Sequence, residues 1–183
     1  MKRRSEDDDG PMVESERVGP AGVYLVCGLQ GTGKSTVARM IAEATGAAHF
    51  RTDVIRRQMF EEPTYSEVEM QAVYDEMMRR VAGVTGEGKS VVLDATFKLR
   101  ANRDWVREMV RESGLEVMVV LVDIADDEVV QKRLDAREGD ASDAGFEHYL
   151  ATKAKFENGD IDVVIDNSGT IEDLTVTIAE LFE

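Results

Sequence analysis

Gly28-Leu29-Gln30-Gly31-Thr32-Gly33-Lys34-Ser35 is the stretch that decides the fold. It reads G-x-x-x-x-G-K-[ST], and its flanks agree with its letters. Val23-Tyr24-Leu25-Val26-Cys27 before it is apolar and rich in β-formers, as a buried strand should be. Thr36 to Ala44 after it has helical spacing, with Val37, Met40, Ile41 and Ala44 on one face. A strand, a glycine-rich turn and a helix start aim several backbone N–H groups at one point, where the helix dipole adds about half a positive charge. That point suits a phosphate. Gly28, Leu29, Gln30, Gly31, Thr32 and Gly33 are expected to wrap it, Lys34 to reach the β- and γ-phosphates, Ser35 to offer a hydroxyl to Mg²⁺, and Thr36 to lie near the α-phosphate.

Working outward, strands and helices alternate. Strands are expected at about 22–27, 48–51, 90–94, 115–122 and 162–166, and helices at 34–45, 54–59, from Ser66, 100–113, from Asp126 to about Arg137, from Asp143 and from Thr170. Ser66-Glu67-Val68-Glu69 reads as a capping box before a helix with Met70, Val73, Met77 and Val81 inward. Trp105, Met109 and Val110 are expected to face the core from the 100–113 helix, and Phe146, Tyr149 and Leu150 mark the helix after Asp143. Such alternation means a parallel sheet covered on both faces. Right-handed crossovers then gather the strand-end loops in one crevice. Thr52-Asp53, Asp94-Ala95-Thr96 and Asp166-Asn167 stand at such ends.

Three further groups carry chemistry. Asp94 closes the apolar strand Val91-Val92-Leu93-Asp94, as a carboxylate holding Mg²⁺ beside Ser35 would; the alternative is a cap for the next segment. Asp53 is either a general base for an attacking hydroxyl or the N-cap of the helix after it. Arg56, one turn on, either meets an anionic acceptor or is a solvated surface arginine, and the same alternatives hold for Arg100 and Arg103. Arg133 and Arg137 are four residues apart on one helix face. Either they form a lid near 133–143 that neutralises the transferring phosphoryl, or they pair with the acidic residues of their own helix. His49 and His148 show no ligand spacing and are read as structural or surface residues.

Bulk properties narrow the classes. The 183 residues carry 37 acidic against 22 basic side chains, a formal charge of −15. That disfavours tracking along nucleic acid or adhesion to an anionic membrane. It would suit a salt-loving organism, or simply be an acidic soluble surface. Residues 1–19 read as a disordered acidic tail and 20–183 as the folded domain. The lone Cys27 is read as a core residue, no membrane span or secretory signal is expected, and a cytoplasmic setting is the default.

From about residue 22 to 166 the chain resembles the P-loop kinases, above all the predicted-kinase group (AAA_33-like) that is similar to polynucleotide kinases, gluconate kinases and zeta-toxin-like enzymes. The resemblance rests on Gly28–Thr36, on Thr52-Asp53-Val54-Ile55-Arg56, on Val92-Leu93-Asp94-Ala95-Thr96-Phe97, and on Arg133-Leu134-Asp135-Ala136-Arg137 with Ser142-Asp143-Ala144. It implies a three-layer α/β/α sandwich with a parallel five-stranded sheet, as in nucleoside-monophosphate kinases. It implies ATP and Mg²⁺, Asp53 as base, Arg56 on the acceptor, and Arg133 and Arg137 in the lid. Gln30 stands where many relatives carry proline. No Asn-Lys-x-Asp guanine motif occurs, so ATP is the expected donor. Three functions follow as expectations: phosphorylation of a small molecule's hydroxyl, phosphorylation of a polynucleotide 5′-hydroxyl, or a nucleotide-gated module working through a protein partner. The acceptor and the oligomeric state are not written in the sequence.

Overall fold

A computed structural model describes residues 22–136 and 145–182. Its strands are β1 (Gly22–Cys27), β2 (Ala48–Arg51), β3 (Val91–Asp94), β4 (Glu116–Asp123) and β5 (Val163–Asp166). Its helices are α1 (Lys34–Thr45), α2 (Thr52–Met59), α3 (Glu67–Thr85), α4 (Arg100–Val110), α5 (Asp127–Asp135), α6 (Phe146–Lys153) and α7 (Ile171–Phe182), with a 3-10 turn at Arg111–Ser113. The strands form one parallel sheet in the order β2-β3-β1-β4-β5. The chain steps outward from β1 to one side, returns, and then steps to the other. The crevice at this reversal lies beyond the carboxyl end of β1, where α/β sheets bind ligands.

The period-2 alternation of β1 divides the core. Val23, Leu25 and Cys27 pack on one face with Ile55, Val73, Met77, Val81 and Val106, which come from α2, α3 and α4. Tyr24 and Val26 pack on the other with Val37, Ile41, Leu174 and Ile178 from α1 and α7. A smaller cluster of Leu29, Ile124, Val130, Leu134 and Tyr149 roots α5 and α6 against the glycine-rich loop. This is the expected three-layer sandwich.

Several local expectations are corrected. α2 begins at Thr52, so Asp53 sits inside its first turn; the cap position is Arg51, with no side-chain cap bond. Asp53 is therefore not a helix cap. In α3 the Ser66 hydroxyl accepts from the Glu69 N–H at 3.3 Å, but Glu69 is buried with its side chain turned inward, while Met70 is half-buried. In α4 Val110 faces the core as expected and Trp105 packs partly against it, but Met109 is exposed and Arg103 and Val106 complete the buried face. The cap of α6 is Gly145, and Leu150 is exposed. Arg137, Ser142 and Asp143 lie outside the described residues, as do the N-terminal tail and most of the proposed lid.

Candidate active site

The loop between β1 and α1 is shaped by close approach. Gly28 has φ +137°, and a Cβ there would stand 2.3 Å from the Val122 carbonyl oxygen of β4. Gly33 has φ +91°, and a Cβ there would meet Asn167 Nδ2 at 2.2 Å. Neither position admits a side chain. Inside the loop, the Thr32 hydroxyl donates to the Leu29 carbonyl at 2.9 Å, and Lys34 Nζ donates to the same oxygen at 2.7 Å. From the end of β5, Asn167 Nδ2 donates to the Thr32 carbonyl at 2.8 Å, tying the loop to the sheet.

A cleft of about 260 Å³ opens beside this loop. Lys34, Ser35 and Thr36 line one wall, Arg51, Thr52 and Asp53 another, and Asp94, Ala95 and Thr96 the floor. Strand register explains the meeting, because Arg51 at the end of β2 pairs with Asp94 at the end of β3. Gln30 also lines the cleft, with its Oε1 buried and without a hydrogen-bond partner.

Asp94 is 2% exposed. Burial works to raise its pKa, but the His49 imidazole, the Lys34 ammonium and the Ser35 hydroxyl outweigh it and hold the carboxyl below its usual value. Its Oδ2 lies 3.6 Å from both His49 Nε2 and Arg51 Nε, yet accepts no hydrogen bond. A buried carboxylate oxygen without a donor is suited to a cation. Among the described residues no group of three or more His, Cys, Asp or Glu could cage a metal. One carboxylate and one hydroxyl, with phosphate and water completing the shell, fit Mg²⁺ carried in by a nucleotide. His49, read from sequence as structural or surface, does not line the cleft, but its imidazole stands beside Asp94, a neighbour that only the pairing of β2 with β3 reveals.

Asp53 behaves oppositely. Burial raises its pKa; Arg51, Arg56 and Lys34 pull it down, Asp94 pushes it up, and the balance stays above the usual aspartate value. Its Oδ1 lies 3.2 Å from an Arg56 amino group, and its Oδ2 lies 3.9 Å from Arg51. Arg56 itself is buried between Asp53 and Glu69 and does not line the cleft, so the acceptor-contact expectation for it is corrected. Arg103 is corrected more firmly. It is 0% exposed and donates to the carbonyls of Phe97, Glu157 and Gly159, at 2.7, 2.7 and 2.8 Å. Arg100 is exposed, pairs with Asp104 and Asp160, and also stays out of the cleft. Arg133 donates to the Asn167 carbonyl at 3.0 Å and lines a second hollow of about 300 Å³ with Gly31, Gly33, Thr36 and Gly169. It is not brought to the cleft that holds Asp53.

The phosphate-shaped loop, the strand-end carboxylates and the sheet order define a P-loop nucleotide-binding α/β protein of the kinase fold. The chain belongs to the AAA domain family (AAA_33), which it matches over residues 23–158. It is 34% identical over 160 residues to Uncharacterized protein Rv2004c of Mycobacterium tuberculosis (strain ATCC 25618 / H37Rv), covering 81% of this chain and 32% of that protein. The chain thus spans about a third of the length of the curated relatives it matches. Its fold is shared with a gluconokinase from Sinorhizobium meliloti 1021, at TM-score 0.64 and 21% identity over 91% of this chain and 95% of that one. It is shared also with the Mycobacterium tuberculosis APS kinase CysC in complex with AMPPNP and APS, at TM-score 0.66 and 15% identity over 89% of this chain and 98% of that one. Among the described residues, no helix is long and apolar enough to cross a membrane.

Proposed function

We propose that this chain is an ATP-dependent phosphotransferase that moves the γ-phosphoryl group to the hydroxyl of a small molecule. The observation that carries this is Asp53: a carboxylate whose ionisation is opposed by burial lines the same cleft as Lys34, Ser35 and Asp94. The acceptor hydroxyl gives its proton to Asp53 as its oxygen bonds to the γ-phosphorus, and the bond to the β-phosphate oxygen breaks to release ADP. Lys34, which donates to the Leu29 carbonyl, turns to the β- and γ-phosphates. The amides of Gly31–Ser35 hold the phosphates in line, which is most of what this reaction asks of a protein. Ser35 and Asp94 would hold Mg²⁺, which neutralises charge on the β- and γ-oxygens when bound.

The second hollow suits the base and ribose of the nucleotide. Arg133 there presents a planar guanidinium to the donor rather than to the transferring group. The fold neighbours, a gluconokinase and an APS kinase bound to AMPPNP, support a kinase reading in general and leave the acceptor to experiment.

The polynucleotide reading loses ground at the residue level. A basic groove of Arg51, Arg56, Arg57 and Arg100 would favour it, and only Arg51 of the four lines the cleft. Calorimetry with Mg-ATP, followed by a labelled-ATP screen over sugars, nucleosides and oligonucleotide ends, tests the proposal. We expect micromolar-range binding and transfer to a small polyhydroxylated or otherwise polar acceptor. Absence of any adenine nucleotide binding would overturn it.

A further inference from the structure

Glu69 is a carboxylate on the inward face of α3, with its side chain 4% exposed, and the phosphate chemistry above does not use it. Its two oxygens are divided between two parts of the chain. Oε1 accepts from Arg56 Nε at 2.9 Å. Oε2 accepts from the Thr64 N–H at 2.6 Å, the Thr64 hydroxyl at 2.8 Å and the Tyr65 N–H at 3.2 Å. Burial opposes its charge, but the Thr64 and Tyr65 donors and Arg56 prevail, and its pKa falls below the usual glutamate value.

Arg56 then continues the chain of contacts. Its other arm donates to Asp53 Oδ1 at 3.2 Å, and its guanidinium carbon lies 4.7 Å from the centre of the Tyr65 ring. Tyr65 has φ +55°, a left-handed conformation that a non-glycine residue adopts only when its surroundings hold it there. The turn before α3 and the buried arginine therefore meet at the Glu69 carboxylate, and Asp53 joins them through Arg56. Without Glu69, Arg56 would keep Asp53 as a carboxylate partner, and the Thr64 and Tyr65 amides would lose their acceptor.

We propose that Glu69 is a positioning residue: it clamps Arg56 with one oxygen and the Thr64–Tyr65 turn with the other, and so fixes Asp53 relative to the turn beside it. The proposal deepens the reading of Asp53 as the general base and rests on it for its catalytic consequence, though not for its geometry. The groups facing Asp53 are Arg51 from β2, Arg56 from α2, Lys34 from α1 and Asp94 from β3. Glu69 acts on only one of these, Arg56.

The test is Glu69→Gln in the full chain, read by NMR at one fixed pH and by ATP turnover with water as the acceptor. The variant should bind Mg-ATP within about two-fold of the wild type, because the phosphate loop is untouched. The carboxyl ¹³C signal of Asp53 should move, and the Thr64 and Tyr65 amides should exchange about tenfold faster or more. Turnover should fall about tenfold in kcat, with the KM for Mg-ATP unchanged. An unmoved Asp53 signal together with unchanged amide exchange overturns the positioning role. A moved signal with unchanged turnover leaves the clamp standing and removes Asp53 as the base. Should Glu69→Gln fail to fold, Arg56→Lys, which lacks the fork to reach both carboxylates, must shift the same Asp53 signal or the proposal is wrong.

Discussion

Asp53 and Asp94 line the same cleft, yet their surroundings drive their protonation apart. Asp94 is held ionised by His49, Lys34 and Ser35, which suits a metal ligand. Asp53 keeps a raised pKa because burial outweighs the three cations around it, which suits a proton acceptor. Asp53→Asn should leave Mg-ATP affinity within about two-fold and lower transfer by about 10²- to 10⁴-fold, measured by calorimetry and by product formation. The acid limb of the wild-type rate profile should sit above the ordinary aspartate value, since activity needs the deprotonated form. The same shift sets the sign for stability. A carboxyl with a raised folded pKa favours the fold most below its unfolded pKa, and that contribution is lost as pH rises through the folded value. Asp53→Asn should therefore melt no lower than the wild type at neutral pH, and a fall of several degrees would mean that the arginine contacts dominate. Asp94→Asn should weaken nucleotide binding about tenfold or more in excess Mg²⁺ but not in EDTA, where loss of the carboxylate's repulsion acts the other way.

At the scale of elements, the two tightest constraints are the glycine-rich loop and the turn after β3. Gly33→Ala would set a methyl against Asn167 in a left-handed backbone, so it should cost about 1–3 kcal/mol and weaken nucleotide binding, as thermal melts and calorimetry would register. The turn after β3 is held from outside. Phe97 has φ +44°, and its carbonyl is bonded by the buried Arg103, which also gathers Glu157, Gly159 and Asp160. Arg103→Met should cost about 1–3 kcal/mol, because it strips the donor from the buried Phe97 carbonyl and from three part-buried oxygens, and denaturant unfolding measures it. This contrast marks what could be read in advance. The loop, the strands and the Asp94 strand end are local patterns of glycine, apolar run and carboxylate, and they were legible. Arg103 in an amphipathic helix looks like any surface arginine, because the carbonyls it binds come from residues 157 and 159, far along the chain. Glu69 looked like half of a capping box because its partner Arg56 lies on another helix. His49 needed the β2–β3 register before its carboxylate neighbour could be seen.

Across the whole molecule, two global facts act together. The sheet order puts the ends of β1, β2 and β3 side by side, so the glycine-rich loop, Asp53 and Asp94 converge on one cleft without any long-range device. The net charge of −15 opposes the approach of a polyanion to the molecule as a whole, while Lys34 and Arg51 offer local positive charge at the cleft. On the function proposed above, ATP would enter against that net charge, assisted by local cations and the loop amides. Salt should therefore act in two ways. It should raise the melting temperature as it screens self-repulsion, and the gain should saturate once the Debye length falls to about 3 Å near 1 M. It should also speed nucleotide association, where a basic nucleic-acid binder would show the reverse dependence. Stopped-flow association of a fluorescent ATP analogue, with oligonucleotide binding measured over the same salt series, separates the cases. A rate that rises with salt and no oligonucleotide binding at low salt fit the small-acceptor kinase. Oligonucleotide binding that weakens steeply as salt is added would mean that a basic track overrides the net charge, and the acceptor would then be a nucleic-acid end.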